Sequence, residues 1–440
     1  MRRYFFIAFF CFICIFIIAY FFYLQNQIVS VDTLIPNQVW TKTIPNLAPL
    51  KGVGLVRAEN CGKCHSQIYE EWKTSTHANA LSDLQFQSEL AKESSPAWLC
   101  LNCHIPVGNQ REFLVEGLRQ GNIHLPKEIA NPQFDPVMKA EAVTCATCHV
   151  RSDENGESYV LGANGKTDAM HPVKVNKEAL RKRCYDCHNQ TYTLEASLVC
   201  YFQTGKELQE AKKYFPEKDC VSCHMPTKYR SFVKKELGKS AKESHIHGFV
   251  GGGIPKQFSL YSHQLKNGYQ PGFRLLGWQR DGNKIQITYK NESAGHYIPS
   301  GDPERFFKLE MVFFDSSNVE IQKVEKRIGQ IWEWSPVAKL KSDNRLKPKE
   351  TRSWQEEIPK EAKKIIFRLT HVRLSDQTRK YMEATFENVP DPYKIKVKNM
   401  KEYYPQSSNI VESEWDLESQ KRKDKSLESI FLENEKRRGE

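Results

Sequence analysis

The chain has 440 residues and a formal net charge of +11, which leaves room for two or three domains with sizeable cores and excludes a single small module. Thirteen cysteines are too many for an ordinary cytosolic protein, so their spacing must decide the class. The basic excess brings nucleic acid or an acidic membrane surface into question as partners.

Arg2 and Arg3 precede twenty uncharged residues from Tyr4 to Tyr23, "YFFIAFFCFICIFIIAYFFY". At about 1.5 Å per residue, a helix of that length spans about 30 Å, one hydrocarbon core. A cleaved signal would carry an apolar core of about 7–15 residues ending at small residues. Here the chain continues "LQNQIVSVDTLIPNQVW" instead. Residues 1–3 are therefore expected in the cytoplasm and residues 4–23 as an uncleaved single-pass anchor in the inner membrane. Everything beyond is expected on the periplasmic side. Residues 24–56, polar and carrying Pro36, Pro45 and Pro49, read as a linker.

From residue 57 to about residue 264 the pattern predicts short helices interrupted by cysteine motifs. The stretch "YEEWKTSTHANALSDLQFQSELAKE" has helical periodicity and stops before Pro96. From residue 265 to about residue 395 the runs "KIQITYKN", "FFKLEMVFF" and "KKIIFRLTHVRL" predict strands, with turns at "DGN" and "DSSN". The expected fold is thus a mainly α cytochrome domain, a C-terminal β-sandwich-like domain and one N-terminal transmembrane helix. Residues 396–440 read as a charged tail; from Asp416 onward it holds seven acidic and seven basic residues.

The cysteines explain themselves in order: "CGKCH" at 61–65, "CLNCH" at 100–104, "CATCH" at 145–149, "CYDCH" at 184–188 and "CVSCH" at 220–224. C-x-x-C-H is the c-type haem attachment signal. Its two thiols reach the vinyl groups of one porphyrin, and the adjacent histidine is held under the iron. The haem-attaching residues are Cys61, Cys64, Cys100, Cys103, Cys145, Cys148, Cys184, Cys187, Cys220 and Cys223, with His65, His104, His149, His188 and His224 as proximal ligands. Zinc also uses C-x-x-C pairs, but does not require histidine directly after the second cysteine. A sixth pair, Cys11 and Cys14, is followed by Ile15 and serves as an internal control. Five haem c groups add about ten propionate charges, which offset the basic excess and remove nucleic acid as a partner. The motifs start 39, 45, 39 and 36 residues apart. That spacing is too short for five separate pockets, so the haems must share walls and form a chain.

Eight histidines lie outside the motifs: His77, His124, His171, His245, His247, His263, His296 and His371. If residues 65–77 are mostly helical, His65 and His77 lie up to about 18 Å apart along the axis. Two axial nitrogens on one metal are only about 4 Å apart. His77 is therefore expected to cap a haem other than the one held at His65.

The stretches "CGKCHSQIYEEWKTSTHANAL", "NPQFDPVMKAEAVTCATCHVR" and "CVSCHMP" resemble bacterial multihaem cytochromes of the cytochrome c-554 type, related to hydroxylamine oxidoreductase and pentahaem nitrite reductase. The resemblance covers roughly residues 57–255 and a segment near His296. It implies a mostly helical fold around packed haems. It also implies distal ligands at His77 (in W-x-x-S-x-H-A, with Trp72 and Ser75), His171 (before Pro172), His247 (in H-x-F-x-G-G) and His296 (in G-H-x-x-P-x-G). The fifth distal position stays open between His124, His263, His245 and an unfilled iron, with His124 the residue chosen. His371 reads as a half-buried strand residue, and Cys200 as a buried free thiol.

The implied function is electron transfer through a chain of covalently bound haems. A membrane or quinol-linked donor would supply the electrons, and a periplasmic redox partner would accept them. The alternative is an oxidoreductase acting on small nitrogen or sulfur compounds at one open iron. The C-x-x-C-K motif of the nitrite reductases does not occur, and five motifs fall short of the eight haems of hydroxylamine oxidoreductases.

Overall fold

Four of the five attachment motifs end a short helix on the motif histidine; in the first, the helix stops at Gly62 and His65 caps the next one. The computed structural model describes residues 9–10, 12–17, 20, 26–35, 42–163, 169–195, 198–234, 237, 241–334 and 336–437. In chain order the helices that carry or flank the motifs include α1 (Ala58–Gly62), α2 (Ser66–Lys73), α3 (Leu84–Leu90), α4 (Ala97–His104), α5 (Cys145–His149), α6 (Lys177–His188), α7 (Thr204–Glu210) and α8 (Cys220–His224). Helices of five to twelve residues are too short to stand alone in water, so packing must hold them. The helical stretch expected from Tyr69 is broken at Thr74, where a turn brings His77 back toward the protein interior; α3 then starts afresh with Asp83 as its cap.

Small sheets fill the gaps between motifs. β1 (Phe113–Arg119) pairs with β2 (Pro126–Ala130), and β3 (Val150–Ser152) with β4 (Ser158–Gly162), which β5 (Val173–Val175) joins in parallel. β6 (Thr227–Arg230) pairs with β7 (Lys242–His245). Helix and strand therefore occupy nearly equal shares of the chain, about 31% and 29%. The expected mainly α class is corrected accordingly. Segments such as "FLVEGLR" and "SYVLG" pair as strands, and hairpin ladders satisfy their backbone polar groups.

The C-terminal region is two sheets over one core. One sheet has β8 (Phe273–Asp281), β9 (Lys284–Asn291) and β13 (Thr351–Glu357), with β9 in the middle. The other runs β12 (Lys339–Asp343), β11 (Glu320–Glu333), β10 (Phe306–Phe314), β14 (Lys364–Val372), β15 (Ser407–Asp416) and β16 (Arg422–Asp424), antiparallel throughout. Alternate residues point inward: Ile285 and Ile287 from one sheet meet Leu309, Met311, Phe313, Ile365, Phe367 and Leu369 from the other, all fully buried. Helices α9 (Asp376–Ala384) and α10 (Lys394–Lys398) pack Met382 and Val397 against Leu84 of α3, joining the two regions.

Two further expectations change. The single-pass inner-membrane anchor over residues 4–23, with the periplasmic placement that depended on it, is not sustained. Among the described residues no helix is long and apolar enough to cross a membrane. Much of residues 4–23 lies outside the described residues. The charged tail is also structured. β15 pairs with β14 from Ser407 to Asp416, and α11 (Leu427–Lys436) buries Ile430 and Phe431 in the sandwich core. Its charges pair among themselves and with the sheet, Glu412 with Arg368 at 2.8 Å and with Lys425 at 3.0 Å, so the mixed-sign composition does not signal disorder.

Phe431 is fully buried, so Phe431→Ala should destabilise the protein by about 3–5 kcal/mol, read from denaturant unfolding. A solvated tail would instead give a change within about 0.5 kcal/mol.

Candidate functional site

Between the short helices the protein leaves a continuous hollow of about 2610 Å³. Typical ligand pockets are about 300–1,000 Å³, and close-packed interiors leave few voids larger than a water molecule. All ten motif cysteines and all five motif histidines line this one space. The chain thus directs its thiols and imidazoles into a volume that side chains do not fill. Covalently held, flat, apolar groups fit that requirement, and haem is such a group.

The imidazoles are set as a metal would need them. Nδ1 of His65 lies 2.8 Å from Phe232 O, that of His104 2.8 Å from Ala80 O, that of His149 3.1 Å from Leu161 O, and that of His224 2.5 Å from Val250 O. A carbonyl only accepts, so each Nδ1 carries the proton and Nε2 keeps its lone pair toward the hollow. His247 and His296 do the same through His245 O at 2.9 Å and Tyr297 O at 2.8 Å. Burial pushes His77 and His247 down to about 3, and His104, His188 and His296 down to about 4, so these rings are neutral at pH 7 and able to ligate.

Three pairs of rings face each other at one repeated distance. His77 and His188, His149 and His247, and His224 and His296 each have ring centres 6.2 Å apart. Two bonds of about 2.0–2.1 Å to a shared metal, plus about 1.1 Å from each nitrogen to its ring centre, give about 6.2–6.4 Å. His77 therefore faces the histidine of the fourth motif and not His65. His171 also borders the hollow; burial lowers its pKa, and the charge of His65 contributes to the same shift. Among the described residues no imidazole faces His104 at the paired distance, and the His104 ring stacks on Phe86 with centres 3.4 Å apart.

The residues considered for the remaining distal position separate clearly. His124 lies half-buried in the turn between β1 and β2 and is not among the residues bordering the hollow, so the structure does not bring it to a motif. His263 is likewise away from the hollow, on a short helix at Tyr261–Lys266. His245 does border it, with Nδ1 2.7 Å from Met225 O. His371 is fully buried, not half-buried. The side chain of Cys200 lies outside the described residues.

Several positioning residues carry no motif and escape sequence reasoning. Glu141 accepts from Ala58 N at 2.8 Å and Thr144 Oγ1 at 2.8 Å, tying the start of α1 to the start of α5. Consistent with that tie, the thiols of Cys61 and Cys145 are within hydrogen-bonding reach of each other. The same holds for Cys184 with Cys220, and for Cys187 with Cys103. Attachment sites one and three, four and five, and two and four are thus neighbours. Glu71 on α2 accepts from both ends of the Arg230 guanidinium, at 2.5 and 2.9 Å, and from His247 N at 3.0 Å. The helix after the first motif thereby positions a histidine that faces the third.

The β region reaches the hollow through the loop between β9 and β10, which carries His296. Glu207 of α7 fixes that loop, accepting from Tyr297 N at 3.1 Å, Ser300 Oγ at 2.9 Å and the Arg345 guanidinium at 2.7 Å. Burial raises the Glu207 carboxyl above its ordinary range, and Arg345 opposes that shift. Arg345→Ala would leave a buried carboxylate without its counter-charge. It should lower unfolding stability by about 3–5 kcal/mol in a denaturant titration, whereas a surface pair would cost at most about 1 kcal/mol.

Comparison with known proteins agrees with this geometry. The family described as "Cytochrome c554 and c-prime" matches residues 60–123. A penta-haem cytochrome c552 from Thermochromatium tepidum shares the fold, with a TM-score of 0.54 and 20% identity over 82% of this chain and 99% of that one. No curated protein matches the sequence.

Proposed function

We propose that the chain is a multihaem c-type cytochrome of the cytochrome c554 type, which binds five haems and serves as an electron carrier between two redox partners. The observation that carries this reading is the hollow lined by all five motifs, with three histidine pairs at 6.2 Å. Each cysteine pair would hold one haem through two thioethers. His149 with His247, His188 with His77, His224 with His296 and His65 with His171 would fill the axial positions. When bound, the haem iron supplies reversible one-electron chemistry.

The remaining work belongs to the protein. Burial keeps His77, His104, His188, His247 and His296 neutral, backbone carbonyls hold the tautomers of the rings they accept from, and the paired histidines would keep small molecules from the metal they hold. Glu141, bonded to Ala58 N and Thr144 Oγ1, holds the first and third attachment sites together. A quinol-linked protein is the proposed donor, and a second redox protein the proposed acceptor.

One observation favours a second reading for one site. His104 has a phenyl ring beside it and no opposing imidazole among the described residues, which leaves room for a small nitrogen or sulfur compound at that position. The spin state of the oxidised protein separates the readings. Five low-spin centres support a pure carrier, while one high-spin centre that binds cyanide supports the second.

Two outcomes test the assignments. A pyridine haemochrome assay of fully matured protein should return five haems per chain, and four or fewer would sink the attachment reading. His77→Ala should leave the covalent haem content unchanged and turn one additional centre high-spin. An unchanged spin state would remove His77 from the ligand set.

A further inference from the structure

Most cationic side chains that border the hollow are already engaged. Arg183 pairs with Asp186 at 2.5 Å, Arg181 with Asp219 at 2.9 Å, and Arg151 donates to the carbonyls of Thr147 and Val150. Lys256 pairs with Asp83, which also accepts from Tyr404 Oη at 3.1 Å. Arg373 donates to the carbonyls of Ile254 and Pro255 and lies over the Tyr404 ring.

Arg305 differs from all of these. It stands at the entrance to β10 and borders the hollow, yet its guanidinium makes no hydrogen bond or ion pair among the described residues, and its Nε is buried without a partner. Its nearest charged surroundings are Arg373, which repels it, and Asp302, which attracts it. On its other side it is close enough to His188 for its charge to disfavour protonation of that ring. His371 beside it adds no positive charge. Burial and Arg305 keep that ring neutral, and its Nδ1 lies 2.6 Å from Gly252 O. The approach is tight: Gly252 has φ +69°, and a Cβ there would meet the His371 ring at 2.9 Å and an Arg305 Nη at 3.6 Å.

A guanidinium held deep in a protein without a counter-ion is costly, and charged groups in such places are found paired. Arginine's planar fork is suited to two oxygens of one carboxylate or oxyanion. We propose that Arg305 is an anchoring site for an anionic oxygen inside the hollow, with Arg373 adding positive potential behind it. The anion is a haem propionate or a free small oxyanion entering the same space. The site rests on the haem reading above. It goes beyond that reading by naming a residue, outside every motif and every histidine pair, that sets the electrostatics near the fourth attachment site.

The test uses the full chain loaded with haem, in the wild type and in Arg305→Gln and Arg305→Lys. Haem content is measured first, which separates failure of the attachment reading from failure of this one. Individual midpoint potentials then follow from spectroelectrochemical titration, with and without inorganic phosphate. A positive charge beside a haem favours the form that has gained an electron. Arg305→Gln should therefore lower one midpoint, and Arg305→Lys should restore most of it.

If the occupant is a propionate, the wild-type midpoints do not respond to phosphate. If it is a free oxyanion, phosphate lowers one wild-type midpoint and leaves Arg305→Gln unaffected. Unchanged midpoints and an unchanged phosphate response in Arg305→Gln, with a full haem complement, would overturn the proposal. A structure of the haem-loaded wild type checks it independently of any variant. An anionic oxygen should lie within about 3.2 Å of an Arg305 Nη, and its absence would overturn the assignment.

Discussion

Everything in the N-terminal half depends on a volume that the polypeptide does not fill. Fewer than fifty residues separate consecutive motifs, and the side chains of such segments cannot form a continuous core of their own. The apolar clusters there are small and peripheral. Leu47, Leu50, Val56, Val107, Met138, Ala146 and Val150 form one, and Ile35, Trp98, Leu99, Leu118 and Ile123 form another. Neither crosses the hollow. The helices are correspondingly short, because each needs only enough length to present two thiols and an imidazole. Hairpins then close the backbone between them. A chain with this plan relies on its prosthetic groups for the apolar burial that other domains obtain from leucine and phenylalanine.

The C-terminal sandwich obeys the opposite rule, and the junction between the two halves shows why both are present. Its core is continuous and fully packed, so it supplies rigidity that the hollow half lacks. That rigidity is transmitted at a few buried polar contacts. Arg345 and Glu207 clamp the loop bearing His296, while Leu84 of α3 enters the cluster formed by Met382, Val397 and Met400. A loop imidazole that must face His224 across 6.2 Å cannot wander by much more than a few tenths of an ångström and still share a metal. Anchoring it to a sandwich is a better solution than anchoring it to another five-residue helix.

The chemistry was far more legible in the sequence than the architecture. C-x-x-C-H places three functional atoms within five residues, so local sequence carries the whole attachment unit. The separation of His65 from His77 was also enough to send His77 to another motif, although the intervening helix ends at Thr74. Architecture failed where a local pattern had two tertiary solutions. The segment from Asp416 is a mixture of charges that would suit a solvated tail, but Glu412, Lys425 and Glu433 neutralise one another along the outer face of β15 and α11, while Ile430 and Phe431 point inward. The apolar run at residues 4–23 satisfies a hydropathy criterion by composition, but among the described residues no helix is long and apolar enough to cross a membrane. Glu71, Glu141 and Arg305 carry no pattern at all. Their roles come from contacts across sequence separations of more than seventy residues, or from a contact that the polypeptide leaves unmade.

His371 joins the sandwich to the hollow half of the molecule. It shares the signature of the paired imidazoles, with Nδ1 held by a backbone carbonyl and a ring kept neutral by burial. It too borders the hollow, and its Nε2 is buried with no hydrogen-bond partner among the described residues. Its position also serves the fold. His371 lies opposite Phe307 in the β10–β14 register and packs edge-on against that ring, while its Nδ1 grips Gly252. The gripped loop is the one that also carries His247 and Phe249, whose rings lie against His149 and His77 respectively. A histidine on a central strand thus holds the glycine-rich segment that presents another histidine, and the sandwich reaches by one hydrogen bond into the hollow half.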